Sequence, residues 1–380
     1  MRTFSILLTL MLVTVFGATT QESPLVGEVP QEIATTFTES PRNLTVEPWV
    51  EGLVAPWSLA FMPDDRALVT ERPGRIRLIR DGALREEPYL TVDVAAVGEG
   101  GLMGITVHPD YPRKPFIYVM YTHRQGMQLV NRVERYRDLG DRAESDRIII
   151  DGLPGSRYHD GGRIKFGPDG MLYITLGENT EPFRAQDRDI LAGSILRLTP
   201  EGEIPGDNPF PGSPIWSYGH RNPQGLAWHP ETGDLFASEH GPSGEFGIRG
   251  HDIVNVIEKG ANYGWPVEIG VGGLEEYRDP LIMWEPATPP AGMTFWRDSL
   301  FLATLRSETL MRIDLVESSG EYEVTSIEGL FASQRYEGTY GRLRAAVVGP
   351  DGALYVTTSN RDGRGDPRPG DDKILRVTPE

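Results

Sequence analysis

The sequence of 380 residues contains no cysteine. This absence excludes disulfide bonds, thiol nucleophiles, cysteine-ligated zinc and iron–sulfur clusters. Without disulfides the folded state must depend on buried apolar surface, which a domain of this length can provide. A sustained helical period of apolar residues is also missing, so helices are not expected to form the core.

Positive charge is scarce as well. Lys and Arg number 37 against 55 Asp and Glu, which gives a formal net charge of −18. Such a surface repels nucleic acids and anionic membranes, so neither is an expected partner. An anionic ligand would therefore need a local pocket of arginine or lysine side chains.

The beginning of the sequence differs from the rest. Residues 1–18, "MRTFSILLTLMLVTVFGA", place one arginine before an apolar run that ends in small residues. This pattern predicts a signal peptide and a periplasmic or secreted protein without a membrane span in its mature form. A membrane anchor is the alternative, but the run is short for a bilayer. Residues 19–43 are rich in Thr, Pro and Glu and predict a flexible linker.

A phrase of strand, turn and strand recurs six times in residues 44–380, the predicted folded domain. Five of the six turns contain proline followed by Asp or Glu. The copies span residues 59–71, 105–121, 164–178, 226–240, 293–305 and 346–360. A further apolar strand follows each copy, at 74–82, 131–138, 193–202, 252–260, 309–316 and 373–380.

A four-stranded unit that recurs about every 50 residues is typical of a β-propeller blade. The sequence therefore predicts an all-β, six-bladed propeller with antiparallel blades. Residues 43–53 are expected to join the C-terminal strands in one blade, because that pairing removes the open edge of the ring. A pair of β-sandwiches is the alternative architecture, but its turns would not recur in one phrase.

Six segments beside the repeated strands contain Arg, His and bare glycines, although a structural turn needs no arginine. In a propeller these segments meet at the mouth of the central channel, which predicts a ligand site there. They are "GEGGLMG" (98–104), "YHDGGR" (158–163), "GHRNPQG" (219–225), "SEHGPSG" (238–244), "TLRSE" (304–308) and "GRLR" (341–344).

His159 lies outside the repeated phrase and beside Gly161 and Gly162, where a substrate can approach the backbone closely. Imidazole is the usual general base because its pKa lies near neutrality. His108 and His229 precede turn prolines and are expected to be structural. No H-x-H or H-E-x-x-H spacing supports a histidine metal site.

Five motifs together resemble the soluble aldose sugar dehydrogenases that use pyrroloquinoline quinone (PQQ), relatives of soluble glucose and sorbosone dehydrogenases. The motifs are "HDGGRIKFGPDG", "GHRNPQGLAWHP", "SEHGP", "KGANYGWP" and "GRLRAAVVGPDG". The resemblance implies PQQ and Ca²⁺ as cofactors and oxidation of the C1 hydroxyl of aldoses to lactones. It also implies an external electron acceptor, a quinone or a redox protein. The long insertions of the dimeric enzymes are absent, which favours a monomer.

The resemblance also assigns roles to residues at matching positions. His159 matches the base that takes the proton from the sugar, and Arg is a natural partner for the carboxylates of PQQ. Glu99 stands where the glucose dehydrogenases have Gln, and Arg306 stands where the family usually has Lys. The implied cofactor contacts are Glu99, His159, Arg221, Asn222, Arg306, Arg342 and Arg344. The implied calcium ligands are Gly241, Pro242, Asp252 and Tyr263.

Two other functions fit a propeller fold. One is a cofactor-free propeller that binds a sugar or a protein, although such a site favours aromatic and carboxylate side chains. The other is a calcium-dependent lactonase, which holds its metal with Asp, Glu and Asn side chains. The motifs in this chain offer arginines and backbone carbonyls, which favours the dehydrogenase.

Overall fold

The computed structural model describes residues 23–380. The predicted signal peptide, residues 1–18, lies outside this range. Helical structure in the described range consists of two 3₁₀ turns, Pro182–Gln186 and Glu245–Gly247. Between residues 23 and 380 we find no helix with the length and apolar character needed to cross a membrane.

The strands follow one another along the chain in six groups. Three strands come first: β1 (Leu25–Val26), β2 (Thr35–Thr38) and β3 (Leu44–Val50). Blade 1 holds β4 (Pro56–Phe61), β5 (Arg66–Glu71), β6 (Arg75–Arg80), β7 (Ala83–Leu84) and β8 (Leu90–Thr91). Blade 2 holds β9 (Leu102–Val107), β10 (Phe116–Gln125), β11 (Gln128–Asp138) and β12 (Ala143–Pro154). Blade 3 holds β13 (Ile164–Phe166), β14 (Leu172–Leu176), β15 (Ser194–Leu198) and β16 (Ile215–Tyr218).

The second half of the chain continues the pattern. Blade 4 holds β17 (Pro223–Trp228), β18 (Leu235–Glu239), β19 (Asp252–Ile257) and β21 (Ile282–Trp284), with β20 (Glu268–Ile269) outside the sheet. Blade 5 holds β22 (Pro290–Trp296), β23 (Ser299–Thr304), β24 (Leu310–Ser318) and β25 (Glu321–Leu330). Blade 6 begins with β26 (Leu343–Val348), β27 (Leu354–Thr358) and β28 (Ile374–Pro379).

The predicted six-bladed propeller is confirmed. Each recurring phrase forms the first two strands of one blade, and the first strand faces the axis. Strand β4 contacts both β9 of the next blade and β26 of the last one, so the ring is closed. Blades 1 and 5 exceed the predicted four strands, because β7 and β8 both pair with β6, and β2 adds to β25.

The two ends of the described chain close the ring together. Strand β3 pairs antiparallel with β28, with Val50 opposite Ile374 and Thr45 opposite Thr378. This confirms the expected pairing of residues 43–53 with the C-terminal strands. Leu375 on β28 is fully buried in a cluster that also contains Trp296 of blade 5. Backbone hydrogen bonds and interblade packing therefore hold the closure.

Residues 23–43 differ from the flexible linker that their composition predicts. Strand β1 pairs parallel with β20, and β2 pairs parallel with β25 at the outer edge of blade 5. The ring of Phe37 lies against Gly329, where a Cβ atom would come within 2.8 Å of it. An exposed sheet edge offers unpaired N–H and C=O groups to any nearby extended segment. The polar composition of the segment does not reveal that such an edge is available.

Replacement of Leu375 by alanine tests the packing of the closing blade. Leu375 is fully buried, so Leu375→Ala should lower the free energy of unfolding by about 2–5 kcal/mol. Leu139→Ala is the matched control, because Leu139 is 40% exposed and its truncation should change stability by less than about 0.5 kcal/mol. Urea unfolding of both variants measures the difference. Equal effects would show that blade 6 is not packed as described.

Candidate active site

Loops from several blades meet at one end of the axis. Because the first two strands of a blade are antiparallel, the residues before the first strand and after the second lie at the same end. A cavity of about 330 Å³ opens there. Its lining includes Glu99, His159, Arg221, His240, Gly241, Pro242, Asp252, Arg306, Arg342 and Arg364. Three predicted site residues do not line it, namely Asn222, Arg344 and Tyr263, and all three are buried.

His159 lies between β12 and β13 in a left-handed backbone conformation, with φ of 60°. This region is uncommon for residues other than glycine, and such strain is concentrated at functional sites. Neighbouring side chains hold the conformation. The His159 N–H donates to Glu99 Oε2 at 3.2 Å, and its C=O accepts from Asn179 Nδ2 at 3.1 Å. The imidazole is therefore held in one position before any ligand binds.

The partners of the His159 ring determine its tautomer. Nδ1 lies 2.7 Å from Glu178 Oε1, and Nε2 lies 3.0 Å from Arg221 Nη2. A carboxylate only accepts and a guanidinium only donates, so we assign the proton to Nδ1 and a lone pair to Nε2. The ring thus directs the Nε2 lone pair toward Arg221. This is the arrangement of a general base with an orienting carboxylate.

Glu178 is fully buried at the end of β14 and was missed from the sequence. A His–Glu spacing that recurs in the next blade could have identified it from the sequence. In the next blade His220 Nδ1 lies 2.9 Å from Glu239 Oε2, and both His–Glu pairs have a sequence separation of 19. A glutamate after the second strand of a blade therefore pairs with a histidine before the first.

The two glycines after His159 allow neighbouring segments to pack closely against the backbone. Gly161 and Gly162 have φ values of 66° and 102°. A Cβ atom at Gly161 would lie 2.4 Å from the Thr175 carbonyl oxygen, and one at Gly162 would lie 2.7 Å from Met103 Sδ. The expectation that the pair leaves room for a substrate is therefore wrong, since protein atoms fill that space.

Arg221 links the histidine to two other segments. Its Nη1 donates to the His240 carbonyl at 3.1 Å, and its Nη2 donates to Glu245 Oε1 at 2.6 Å. Asn222 lies behind the wall, where its Oδ1 accepts from the Gly161 N–H at 3.0 Å. In this structure Asn222 supports the histidine loop.

Arg342 and Arg344 share one carboxylate. Arg342 Nε and Nη2 lie 3.0 and 2.9 Å from Asp362 Oδ2, and Arg344 Nη2 lies 3.6 Å from the same oxygen. Burial tends to raise the pKa of Asp362, but the two guanidinium groups bring it below its usual range. Leu343 points away into the apolar cluster between blades 5 and 6. Asp362 was missed because its loop, "NRDGRGD", shows only turn residues.

Glu99 is an ionised carboxylate in an arginine-rich cavity. Its Oε1 lies 2.9 Å from Arg364 Nη1. Burial would raise the pKa of Glu99, but the charge of Arg364 and the hydrogen bond from the His159 N–H help to bring it below its usual range. Burial lowers the pKa of His240 to about 3, so His240 is neutral near pH 7 and Arg364 supplies the compensating charge. Arg364, which the sequence did not identify, thus makes a carboxylate compatible with an anionic ligand.

One cluster in the described range has metal-ligating side chains within 4.8 Å of one another, formed by His159, Glu178 and Glu245. The guanidinium of Arg221 donates to both His159 and Glu245. A cation already lies between these ligands, so the cluster does not suit a metal ion.

The predicted calcium ligands offer oxygen atoms. A Cβ atom at Gly241 would lie 2.1 and 2.3 Å from the carbonyl oxygens of Gly250 and His251, so only glycine fits among these oxygens. The Pro242 carbonyl accepts from the Gly250 N–H at 3.0 Å. Gly241 and Pro242 both line the cavity. Such an oxygen-rich site fits a hard cation such as Ca²⁺.

Asp252 and Tyr263 are engaged within the protein. Asp252 Oδ1 accepts from the Gly241 N–H at 2.9 Å and Oδ2 from the Thr288 N–H at 2.6 Å, and burial raises its pKa to about 6. Tyr263 stacks on His220 with ring centroids 4.7 Å apart. Asp252 therefore orients the Gly241 loop, and the Tyr263 side chain lies behind the cavity wall.

The cavity wall and the residues directly behind it also contain hydrogen-bond donors without acceptors. Among the buried atoms without a hydrogen-bond partner in residues 23–380, two belong to residues that line the cavity, Arg221 Nε and His240 Nε2, and two to residues directly behind the lining, Asn222 Nδ2 and Arg344 Nε. Arg306 is exposed at the cavity, with its guanidinium 5.4 Å from the Tyr336 ring. Buried donors without acceptors are costly, so this wall suits a ligand with several anionic oxygens. PQQ, a planar tricarboxylate, meets that requirement.

The fold and the site define a β-propeller with an arginine-rich cavity at one end of its axis. The profile of the Glucose / Sorbosone dehydrogenase family matches residues 53–375. The chain therefore belongs to this family of oxidoreductases.

Named relatives agree. Aldose sugar dehydrogenase YliI of Escherichia coli K12 is 33% identical over 377 residues, which covers 90% of this chain and 94% of the relative. The PQQ-bound form of aldose sugar dehydrogenase from Streptomyces coelicolor is 38% identical, with a TM-score of 0.77 and coverage of 90% and 99%. A putative oxidoreductase (glucose dehydrogenase) from Thermus thermophilus is 51% identical, with a TM-score of 0.84 and coverage of 88% and 100%.

Asp160→Asn tests the electrostatics beside the histidine. Asp160 is buried, and burial raises its pKa to about 7 although Ser156 and Asn131 donate to Oδ1. A raised pKa means that the folded state favours the protonated acid, so stability present below pH ~4 is lost as the pH rises toward 7. The Asn variant should escape this loss and gain about 2–4 kcal/mol relative to wild type between pH 4 and 8.

Urea unfolding across that pH range measures the effect. Asp81→Asn is the matched control, because the Asp81 side chain is 84% exposed and should show no such pH dependence relative to wild type. Parallel stability curves for wild type and Asp160→Asn would contradict the assignment.

Proposed function

We propose that this chain is an exported, monomeric aldose sugar dehydrogenase that uses PQQ and Ca²⁺. It oxidises the C1 hydroxyl of aldoses to lactones and passes electrons to an external quinone or redox protein. The observation that carries the proposal is one cavity that joins His159, whose Nε2 lone pair faces Arg221, to a set of arginines, with unpartnered donors at Arg221 Nε in the wall and Arg344 Nε behind it. The PQQ-bound relative from Streptomyces coelicolor supports the cofactor. A periplasmic or secreted location follows from the sequence of residues 1–18.

The arginines of blades 5 and 6 would hold the cofactor carboxylates. Arg306 and Arg342 line the cavity, and Arg344 does not line it but shares the Asp362 carboxylate with Arg342. Arg221 and Asn222 would lie beside the quinone carbonyls, and the carbonyls of Gly241 and Pro242 would face the metal. PQQ, when bound, supplies a quinone that accepts a hydride, and Ca²⁺ would polarise its carbonyl.

His159 would accept the proton of the sugar hydroxyl at Nε2. Glu178 holds Nδ1–H at 2.7 Å, which orients the ring and stabilises the imidazolium that forms. Arg221 Nη2 lies 3.0 Å from Nε2 and marks the direction of the lone pair that would accept the sugar proton.

The alternative functions explain the site less well. A sugar-binding propeller without a cofactor would have no use for several buried arginine donors. A lactonase would need free carboxylates for its metal, but Glu99 is paired with Arg364 and both oxygens of Asp252 accept backbone N–H groups.

Reconstitution tests the cofactor requirement. The full-length protein with PQQ and Ca²⁺ should show the absorption spectrum of a bound quinone and dye-linked oxidation of glucose. EDTA should release the cofactor, and Mg²⁺ should restore less activity because backbone and cofactor oxygens suit the larger ion. Protein with Ca²⁺ but no PQQ is the control. Full activity after exhaustive chelation would refute the metal, and failure to bind PQQ would refute the proposed function.

His159→Ala tests the base. Loss of the proton acceptor should slow reduction of the bound quinone by about 10²–10⁴-fold while PQQ affinity stays close to that of wild type. Stopped-flow mixing of the reconstituted variant with glucose measures the rate. His123→Ala is the control, because His123 pairs with Asp151 on blade 2, away from the cavity. An unchanged rate in His159→Ala would assign the proton transfer to another group.

A further inference from the structure

A second cavity of about 280 Å³ lies along the axis of the propeller. The first strands of all six blades line it, so it is part of the central channel. Most of its wall is apolar, but Arg163 and Lys165 project into it from the start of blade 3. These residues are two positions apart in an extended segment, so their side chains share one face.

Arg163 is 5% exposed and has an unused donor. Its Nε donates to the Gln224 carbonyl at 2.9 Å and its Nη1 to Ser58 Oγ at 3.0 Å, but Nη2 has no partner within residues 23–380. The guanidinium lies over the Trp57 ring, 4.2 Å from its centre. A Cβ atom at Gly292 would lie 3.0 Å from Nη2, so glycine keeps the space beside this donor open.

Lys165 is also incompletely paired. Its Nζ donates to the Leu226 carbonyl at 3.1 Å, which uses one of three N–H groups. In the part of the chain that the structure describes, neither cation has a carboxylate partner. The charges that act on them are cationic: Arg344, from β26, on Arg163, and Arg163 on Lys165. Burial first, and then these neighbours, lower the pKa of both side chains.

We propose that this channel binds a small inorganic anion of the halide type, held by Arg163 and Lys165. Two cations without a counter-charge in a largely apolar wall are unfavourable, and an anion removes that cost. A weakly hydrated monovalent anion suits this wall because few other polar groups could replace the hydration of sulfate or phosphate. Neither residue lines the cavity proposed for PQQ, so the anion goes beyond the proposed function and stabilises the ring itself.

Anomalous diffraction from crystals of the full-length protein with PQQ, Ca²⁺ and sodium bromide locates the anion. The expected result is a bromide peak in the channel within hydrogen-bond distance of Arg163 Nη2. PQQ covers the arginines of the other cavity, which removes the main competing site. Bromide found only on the outer surface, or in no ordered position, would overturn the proposal.

Thermal unfolding provides the solution test. The wild-type Tm is compared in sodium chloride and in sodium morpholinoethanesulfonate at equal ionic strength, because the morpholinoethanesulfonate anion is too bulky for the channel. With chloride near ten times its Kd, the Tm in sodium chloride should be higher by about 2 °C. Lys165→Met keeps the apolar stem and should lose most of this chloride dependence. Lys114→Met is the matched control, because Lys114 is about half exposed on blade 2 and should keep it.

These measurements separate the two proposals. The Tm comparison is made without PQQ as well, so failure of the protein to bind PQQ leaves the anion test intact. An equal wild-type Tm in the two salts, or full chloride dependence in Lys165→Met, would show that the channel does not bind a halide.

Discussion

The pairing of β3 with β28 closes the ring, and the geometry of the site depends on that closure. A single blade cannot bury both of its faces, so each blade needs two neighbours. The site draws on blades 2 to 6, whose loops meet only when the circle is complete. The ion pair between Glu99 and Arg364, 265 residues apart in the chain, shows how directly contacts at the cavity rely on the pairing of the chain ends.

The molecule has a negative net charge, but cationic side chains lie near its axis. The chain carries a formal net charge of −18, yet Arg163 and Lys165 line the central channel, and Arg344 is buried at the start of β26. Acidic partners compensate only part of this charge, as Asp362 does for Arg342 and Arg344. The remaining donors make the axis favourable for an anion, because low-dielectric walls strengthen the attraction.

The backbone conformation and the ring position of His159 are held by neighbouring side chains. His159 has a left-handed backbone that three groups hold: Glu99 at its N–H, Asn179 at its C=O and Glu178 at its ring. Each holding group lies on a segment anchored by a blade, so the rigid sheets sustain the strained conformation. A side chain held in this way needs little rearrangement when a ligand enters the cavity.

The architecture and the central residues of the cavity could be predicted from the sequence. Apolar strands around recurring turns are local patterns, and they predicted six blades and the closure by residues 43–53. The family motifs led to His159, Arg221 and Arg342, which do line one cavity. The contacts of Glu178, Asp362 and Arg364 became apparent only in the folded protein, because the partners of a carboxylate or a guanidinium lie on segments that are distant in the sequence. The pairing of β2 could not be predicted either, because it depends on an exposed edge of blade 5. No local sequence pattern reveals that edge, since hydrogen bonding between distant segments is determined by the closed ring.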